Sequence, residues 1–279
     1  MQQHNQLIRI FNKPNEHKGN LVMVIAKDEP TSSLADISAQ LEKENGIATT
    51  CFFSALKSAD NEASNNFKVQ CFNGHSAIQC CGHGMIAAAK SIFDSTGLSQ
   101  ININQSIKAT QDKDANAKNN ISLSLPRLAS QQVEIPNWTK QLLHYQAQNI
   151  TPSDVAQSEK SDGYLLLELA ATITLKQFSA MTIDEELICK QTQRAVVVIL
   201  FDKNKDHLYL RYFAPQYGVT EDSATGSVMR FVADFIAKKY HSKQYEVTQC
   251  SQSGGYMHLT CHDSNVVITS HVKVEPYNE

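Results

Sequence analysis

The chain has 279 residues, 42% of them hydrophobic, enough apolar surface at this length to close one large core or two modest ones. Its 25 Lys and Arg face 28 Asp and Glu, a formal charge of −3 without any block of like charge, so the basic excess that a nucleic-acid partner demands is absent. The longest wholly apolar run, 195–201, is far short of the ~18 residues that span a bilayer. Residues 1–19 hold no apolar stretch of signal-peptide length, so the expected location is cytoplasmic, with no membrane partner. Seven scattered cysteines, an odd number, make reduced thiols the expectation.

In chain order, 21–26 reads as a buried strand, and Leu34, Ile37 and Leu41 space a helix over 33–44. Strands are predicted at 50–56 and 67–72, separated by a polar loop over 58–66. The run 85–93 leaves almost no polar face, which predicts an enclosed helix. A loop over 108–120 precedes a strand at 122–125, and a second loop, 151–163, precedes strands at 164–169, 195–201 and 208–213. Val228, Phe231, Val232, Phe235 and Ile236 line one face of a helix over 227–240, followed by strands at 256–261 and 266–268. Ten or so strands with few helices predict an α+β chain.

One segment type occurs twice, about 140 residues apart: a strand, a loop, a turn of small residues, then a helix. The first copy ends in Cys81-Gly82-His83-Gly84 and the second in Ala224-Thr225-Gly226-Ser227. The repetition predicts two similar domains related by a pseudo-twofold, each with strands around one central helix. The first takes 1–125 and the last strand, 265–279, and the second takes 126–264. The cleft between two such domains is the expected site. Each turn is predicted to set backbone N–H groups at a helix N-terminus, where the macrodipole attracts an anion, and Gly82, Gly84 and Gly226 allow close backbone approach. A small carboxylate is therefore the expected ligand. The vicinal Cys80 and Cys81 with His75 and His83 lack metal-ligand spacing, and His258, Cys261 and His262 lie on a predicted strand and tight turn, so no metal is expected.

The two segments resemble the phenazine-biosynthesis PhzF-like isomerase family, within the diaminopimelate epimerase and proline racemase superfamily. Ala77-Ile-Gln-Cys-Cys-Gly-His-Gly-Met85 is similar to its E-V-P-L-C-G-H-A-T motif, and Arg211-Tyr-Phe-Ala-Pro-Gln-Tyr-Gly-Val-Thr-Glu-Asp-Ser-Ala-Thr-Gly-Ser227 to its R-x-F-A-P-x-x-G-x-x-E-D-P-A-T-G-S motif. Gly19-Asn20 matches part of the family's opening. The resemblance implies two half-barrel domains, a cleft for small carboxylates without metal or organic cofactor, and a homodimer. It places His83, Asp222 and Ser227 in the active site; Asp222 or Cys81 is the expected base with His83 as its partner, and Gly82, Gly84, Asn20, Thr49, Thr225, Gly226 and Ser227 are the expected substrate contacts. Thr49 stands where the family has its acid/base glutamate, Ala224 where the epimerase branch has its second cysteine, and Thr269-Ser270 where PhzF-like proteins have a glycine pair. Two readings follow: an isomerase or epimerase that moves a proton on an amino- or hydroxy-acid, or a carboxylate-binding protein that has lost the chemistry.

Overall fold

The strands and helices of the computed structural model, which describes residues 5–56, 65–78, 80–112 and 119–277, fall into two units by contact, Met1–Leu125 with Val267–Glu279, and Pro126–Val266. The first unit holds β1 (Gln6–Ile10), β2 (Asn20–Ala26), α1 (Thr31–Asn45), β3 (Thr49–Ala55), β4 (Asn66–Asn73), β5 (Ser76–Ile78), α2 (Gly82–Thr96), β6 (Gln100–Ile103), β7 (Ile107–Gln111), β8 (Asn120–Pro126) and most of the C-terminal strand Asn265–Glu275. The sheet order is β1-β2-β3-β4-β6-β7-β8 and then the C-terminal strand, which also pairs with β1, Leu7 opposite Glu275 and Ile10 opposite Val272. The sheet therefore closes on itself.

Alternation along the strands sorts the side chains of this unit between two faces. Met23, Ile25, Phe52 and Phe72 pack with Leu34 and Ile47 under α1, while the alternate residues Val22, Val24, Cys51 and Cys71 turn to the opposite face. There lies α2, buried from Gly84 to Phe93 and packed against β1, β2, β3, β4, β6 and β7. Its one cation in that stretch, Lys90, reaches Asp94 at 2.6 Å, so the buried ammonium is paired. Gly97 ends the helix in the left-handed region, φ 73°.

The second unit holds β9 (Ser130–Gln132), β10 (Leu143–Tyr145), β11 (Gln148–Ile150), β12 (Asp154–Ser158), β13 (Tyr164–Glu168), α3 (Leu175–Ala180), β14 (Thr182–Ile183), α4 (Glu185–Gln191), β15 (Ala195–Asp202), β16 (His207–Phe213), α5 (Met229–Tyr240), β17 (Gln244–Gln249) and β18 (Gly255–Cys261). Its main sheet runs β18-β17-β16-β15-β13-β12-β9, and a small sheet runs β11-β10-β14. α5 buries Phe231, Val232, Phe235 and Ile236, as the spacing predicts, together with Met229, while the buried Val228 stands just before its first residue. Its polar edge is tied down: Asp234 accepts the Ser130 N–H at 2.7 Å, and Lys239 pairs with Asp154 and with the buried Glu168, which also accepts the Tyr240 hydroxyl.

Two of the predicted loops contain strands. The stretch 151–163 holds β12, whose Asp154 to Gln157 pair with Glu168 to Leu165 of β13, and 108–120 takes in the ends of β7 and β8. Both segments are polar enough to read as turns, but a strand needs only a paired neighbour and a few buried positions, here Val155 and Ala156 on its two faces. Residues 58–64 of the loop predicted over 58–66, and 113–118 of that over 108–120, lie outside the described residues.

Candidate active site

The first turn begins where β4 reverses through Gly74 and His75 into β5, Asn73 opposite Ser76. The chain then enters α2 with Cys81 as its cap: Cys81 Sγ accepts the Gly84 N–H at 3.3 Å, in the place usually held by a hydroxyl or carboxylate oxygen. Cys51 and Cys71 stand directly opposite one another on β3 and β4, with their sulfurs 2.6 Å apart. All three sulfurs lie within 4.8 Å of one another, and all three residues are buried. A Cβ at Gly84 would fall within 3.0 Å of every one of them. Gly84 therefore makes room for the three sulfurs beneath the turn. Gly82, the first residue of α2, is also buried.

Burial by itself pushes the Cys81 thiol up, but the Cys51 and Cys71 thiols that donate to it and His83 beside it hold it well below the usual range. Cys51 is held well above that range chiefly by burial, and Cys71 chiefly by its hydrogen bonds to the other two thiols. His83 itself is half-buried, and its Nε2 stands 3.3 Å from Thr49 Oγ1. Thr49 is the first residue of β3, paired with Val22 and Asn73, and not the end of a loop. Asn20 opens β2 two residues before Val22, so Asn20 and Thr49 share a face at the same end of their strands. The preceding Gly19 has φ 67°, and a Cβ there would strike the Ile10 carbonyl, so this glycine is required by the backbone. Thr269 and Ser270 have structural partners: Ser270 Oγ accepts the Phe11 N–H at 2.8 Å, and Thr269 Oγ1 meets Ser122 Oγ at 2.8 Å.

In the second unit the motif's charged residues divide. Arg211, buried on β16, makes a bidentate pair with Glu221 at 2.7 and 2.9 Å and donates to the Met181 carbonyl at 2.6 Å. That pair closes the loop from Ala214, whose backbone bonds reciprocally with Val219. Asp222 is left beside the turn, half-buried. Its N–H donates to the Tyr212 carbonyl at 3.1 Å, and its Oδ2 accepts the Thr225 hydroxyl at 2.5 Å. Gln249, fully buried at the end of β17, accepts the Thr225 N–H at 2.7 Å and donates to the Asp222 carbonyl at 2.6 Å. Burial, with Tyr164 and Asp222 nearby, pushes the Tyr212 hydroxyl up. Gly226, Ser227 and Val228 form one tight turn, Met229 N–H to Gly226 O at 3.1 Å, so the helix begins at Met229 rather than at 227. Ala224 is fully buried against Gly255, where an added Cβ would come within 2.5 Å of the Ala224 Cβ.

The structure thus brings together Thr49, Cys81 and His83, with Asn20 on the Thr49 face, and separately Asp222 and Thr225, with Gly226 and Ser227 following. His75 lies apart in an exposed pair with Asp36 at 3.5 Å. Cys51, Cys71 and Gln249 escaped the sequence reading. Their only sequence signal is residue type: two cysteines at inward strand positions and a glutamine ending a largely polar strand.

A family model described as phenazine biosynthesis-like protein matches residues 12–274. A phenazine biosynthesis-like domain-containing protein of Bos taurus is 25% identical over 215 residues, 72% of each chain. An uncharacterized isomerase of Vibrio cholerae is 26% identical over 221 residues, 78% of this chain and 70% of the relative. The crystal structure of a PhzF-family phenazine biosynthesis protein of Enterococcus faecalis superposes with TM-score 0.79 at 17% identity, covering 99% of this chain and 98% of that one. That likeness bears out a strand-rich α+β fold of the predicted kind. Among the described residues no helix is long and apolar enough to cross a membrane.

Proposed function

This chain belongs to the phenazine biosynthesis-like protein family, and we propose that it is an isomerase or epimerase that moves a proton on a small carboxylate of the amino- or hydroxy-acid kind, with no metal or organic cofactor in the step. In this reading the turn before each buried helix contributes to binding the substrate. Removing a proton from the carbon next to a carboxylate accumulates charge on that carboxylate. Backbone N–H groups at the start of α2 and in the Gly226–Val228 turn would oppose that charge.

The observation that carries the reading is the setting of His83, half-buried in the first turn of α2 between the Thr49 hydroxyl and the Cys81 sulfur. An imidazole can both take and return a proton near neutral pH, as this reaction requires. Asp222, aimed by Thr225 and Gln249, is the second proton carrier. Cys81, whose sulfur faces Cys51, Cys71 and the Gly84 N–H, acts in this reading on His83 rather than as the base. In D2O, the wild type is expected to wash deuterium into at least one acid of a panel of amino- and hydroxy-acids, and His83→Gln and Asp222→Asn each to slow this at least ~100-fold. Absence of exchange in the wild type, or unchanged exchange in both variants, overturns the proposal.

A second reading rests on Thr49, whose hydroxyl stands beside His83 where the family motif carries a titratable glutamate. It describes a carboxylate-binding protein without turnover. Acids that raise the melting temperature but never exchange protons favour it.

A further inference from the structure

Cys51, Cys71 and Cys81 come from three separate segments, β3, β4 and the cap of α2, yet their sulfurs converge in the interior of one unit. We propose that these three cysteines form a binding site for a thiophilic metal ion of the zinc class. The inference shares Cys81 with the reading above but does not rest on it, because metal uptake is measured directly.

Donor chemistry is the first argument. Thiolate sulfur selects soft and borderline ions over magnesium or calcium, and the site offers three sulfurs and no carboxylate. Spacing is the second. Zinc–thiolate bonds of about 2.3 Å place the sulfurs of a trithiolate roughly 3.8 Å apart. All three sulfurs lie within 4.8 Å of one another and Cys51 and Cys71 are 2.6 Å apart, so loading asks that pair to part by about 1 Å. Gly84 is the third: any side chain there would fill the space among the sulfurs.

Loading is M2+ with the three cysteine sulfurs giving M(SR)3−, the thiol protons leaving to solvent, so affinity should rise with pH. The anionic product lies at the N-terminus of α2, where the helix dipole and the Gly84 N–H favour negative charge.

The test uses the full chain, reduced, stripped with a chelator and kept anaerobic. Titration with Co2+ is expected to saturate at one equivalent with thiolate-to-cobalt charge-transfer absorption, which Zn2+ then abolishes by displacement. Cys51→Ala and Cys71→Ala should each lose that absorption, while Cys250→Ala and Cys261→Ala retain it. Burial pushes the thiols of both control residues up to about 11, and neither belongs to the cluster. X-ray absorption on the zinc-loaded wild type avoids any folding defect of the variants and should show three sulfurs at about 2.3 Å. No uptake of Co2+, a zinc shell with one sulfur or none, or a Cys51–Cys71 disulfide as the stable state with no ion bound after its reduction, overturns the proposal.

Discussion

Residue 49 is the position at which this chain departs most sharply from the motif it otherwise follows. The hydroxyl lies 3.3 Å from His83 Nε2 and does not titrate near neutral pH, so any proton work falls to the imidazole alone in this turn. Thr49 opens β3 and is only part-buried, which leaves room for a longer side chain to turn outward. Thr49→Glu is therefore expected to create or raise proton exchange at least tenfold, because a carboxylate beside the ring favours the imidazolium and supplies a second group able to carry the proton. Initial rates in D2O at saturating acid check this; a variant that binds the acid normally and exchanges no faster shows that residue 49 is not the acid/base position. Glu44, five residues earlier, is exposed on α1 and hydrogen-bonded to Gln40. Among the motif's acidic residues, Asp222 and Glu221 look alike in the sequence. Only the pairing of Glu221 with Arg211 separates a structural carboxylate from a candidate catalytic one.

The two turns that read alike in the sequence are built differently as elements. At α2 the cap is a thiol, and the space beneath the first turn is filled with sulfur. Before α5 the turn is pinned by the Gln249 amide, which meets the Thr225 N–H and the Asp222 carbonyl together. Gly84→Ala is expected to cost about 1–3 kcal/mol, since the new methyl overlaps three sulfurs that the surrounding strands hold in place. Urea unfolding with an unchanged slope and a lowered midpoint checks it. An unchanged midpoint would mean that the sulfurs can move away freely. The helix of the first turn was legible because an apolar run without a polar face must be enclosed. β12 was not, because its stability comes from pairing with β13 rather than from a pattern of its own.

At the scale of the whole molecule, stability should fall as the pH is lowered, in two stages. His17 and His271 are held below the ordinary histidine value of 6.5, chiefly by burial, so the unfolded chain binds their protons first and stability begins to drop below that pH. Asp154 and Asp234 form the second stage. Burial opposes their charge, but hydrogen bonds from Lys239 and Gln132 to Asp154, and from Lys238 and Ser130 to Asp234, hold both below 3.8. Glu275, bonded to Arg9 and Lys273, is held below 4.5. The contribution of these carboxylates is complete above their unfolded values and is lost as the pH falls through the folded ones. Melting temperatures from pH 8 to pH 3 check the sign; a flat profile between pH 7 and pH 3 would contradict it. The sequence by itself determined the strand-rich α+β class, the two turn-and-helix segments, the family likeness and the departures at Thr49 and Ala224. Each of these is written in contiguous residues, as a motif or as a periodicity that burial imposes. Only the tertiary structure decided that Gly84 serves sulfur packing, that Gln249 positions Asp222, that Arg211 and Glu221 neutralise one another, and that Cys51 and Cys71 close on Cys81. Those relations join residues far apart in the chain through strand register and buried hydrogen bonds, which no local pattern encodes.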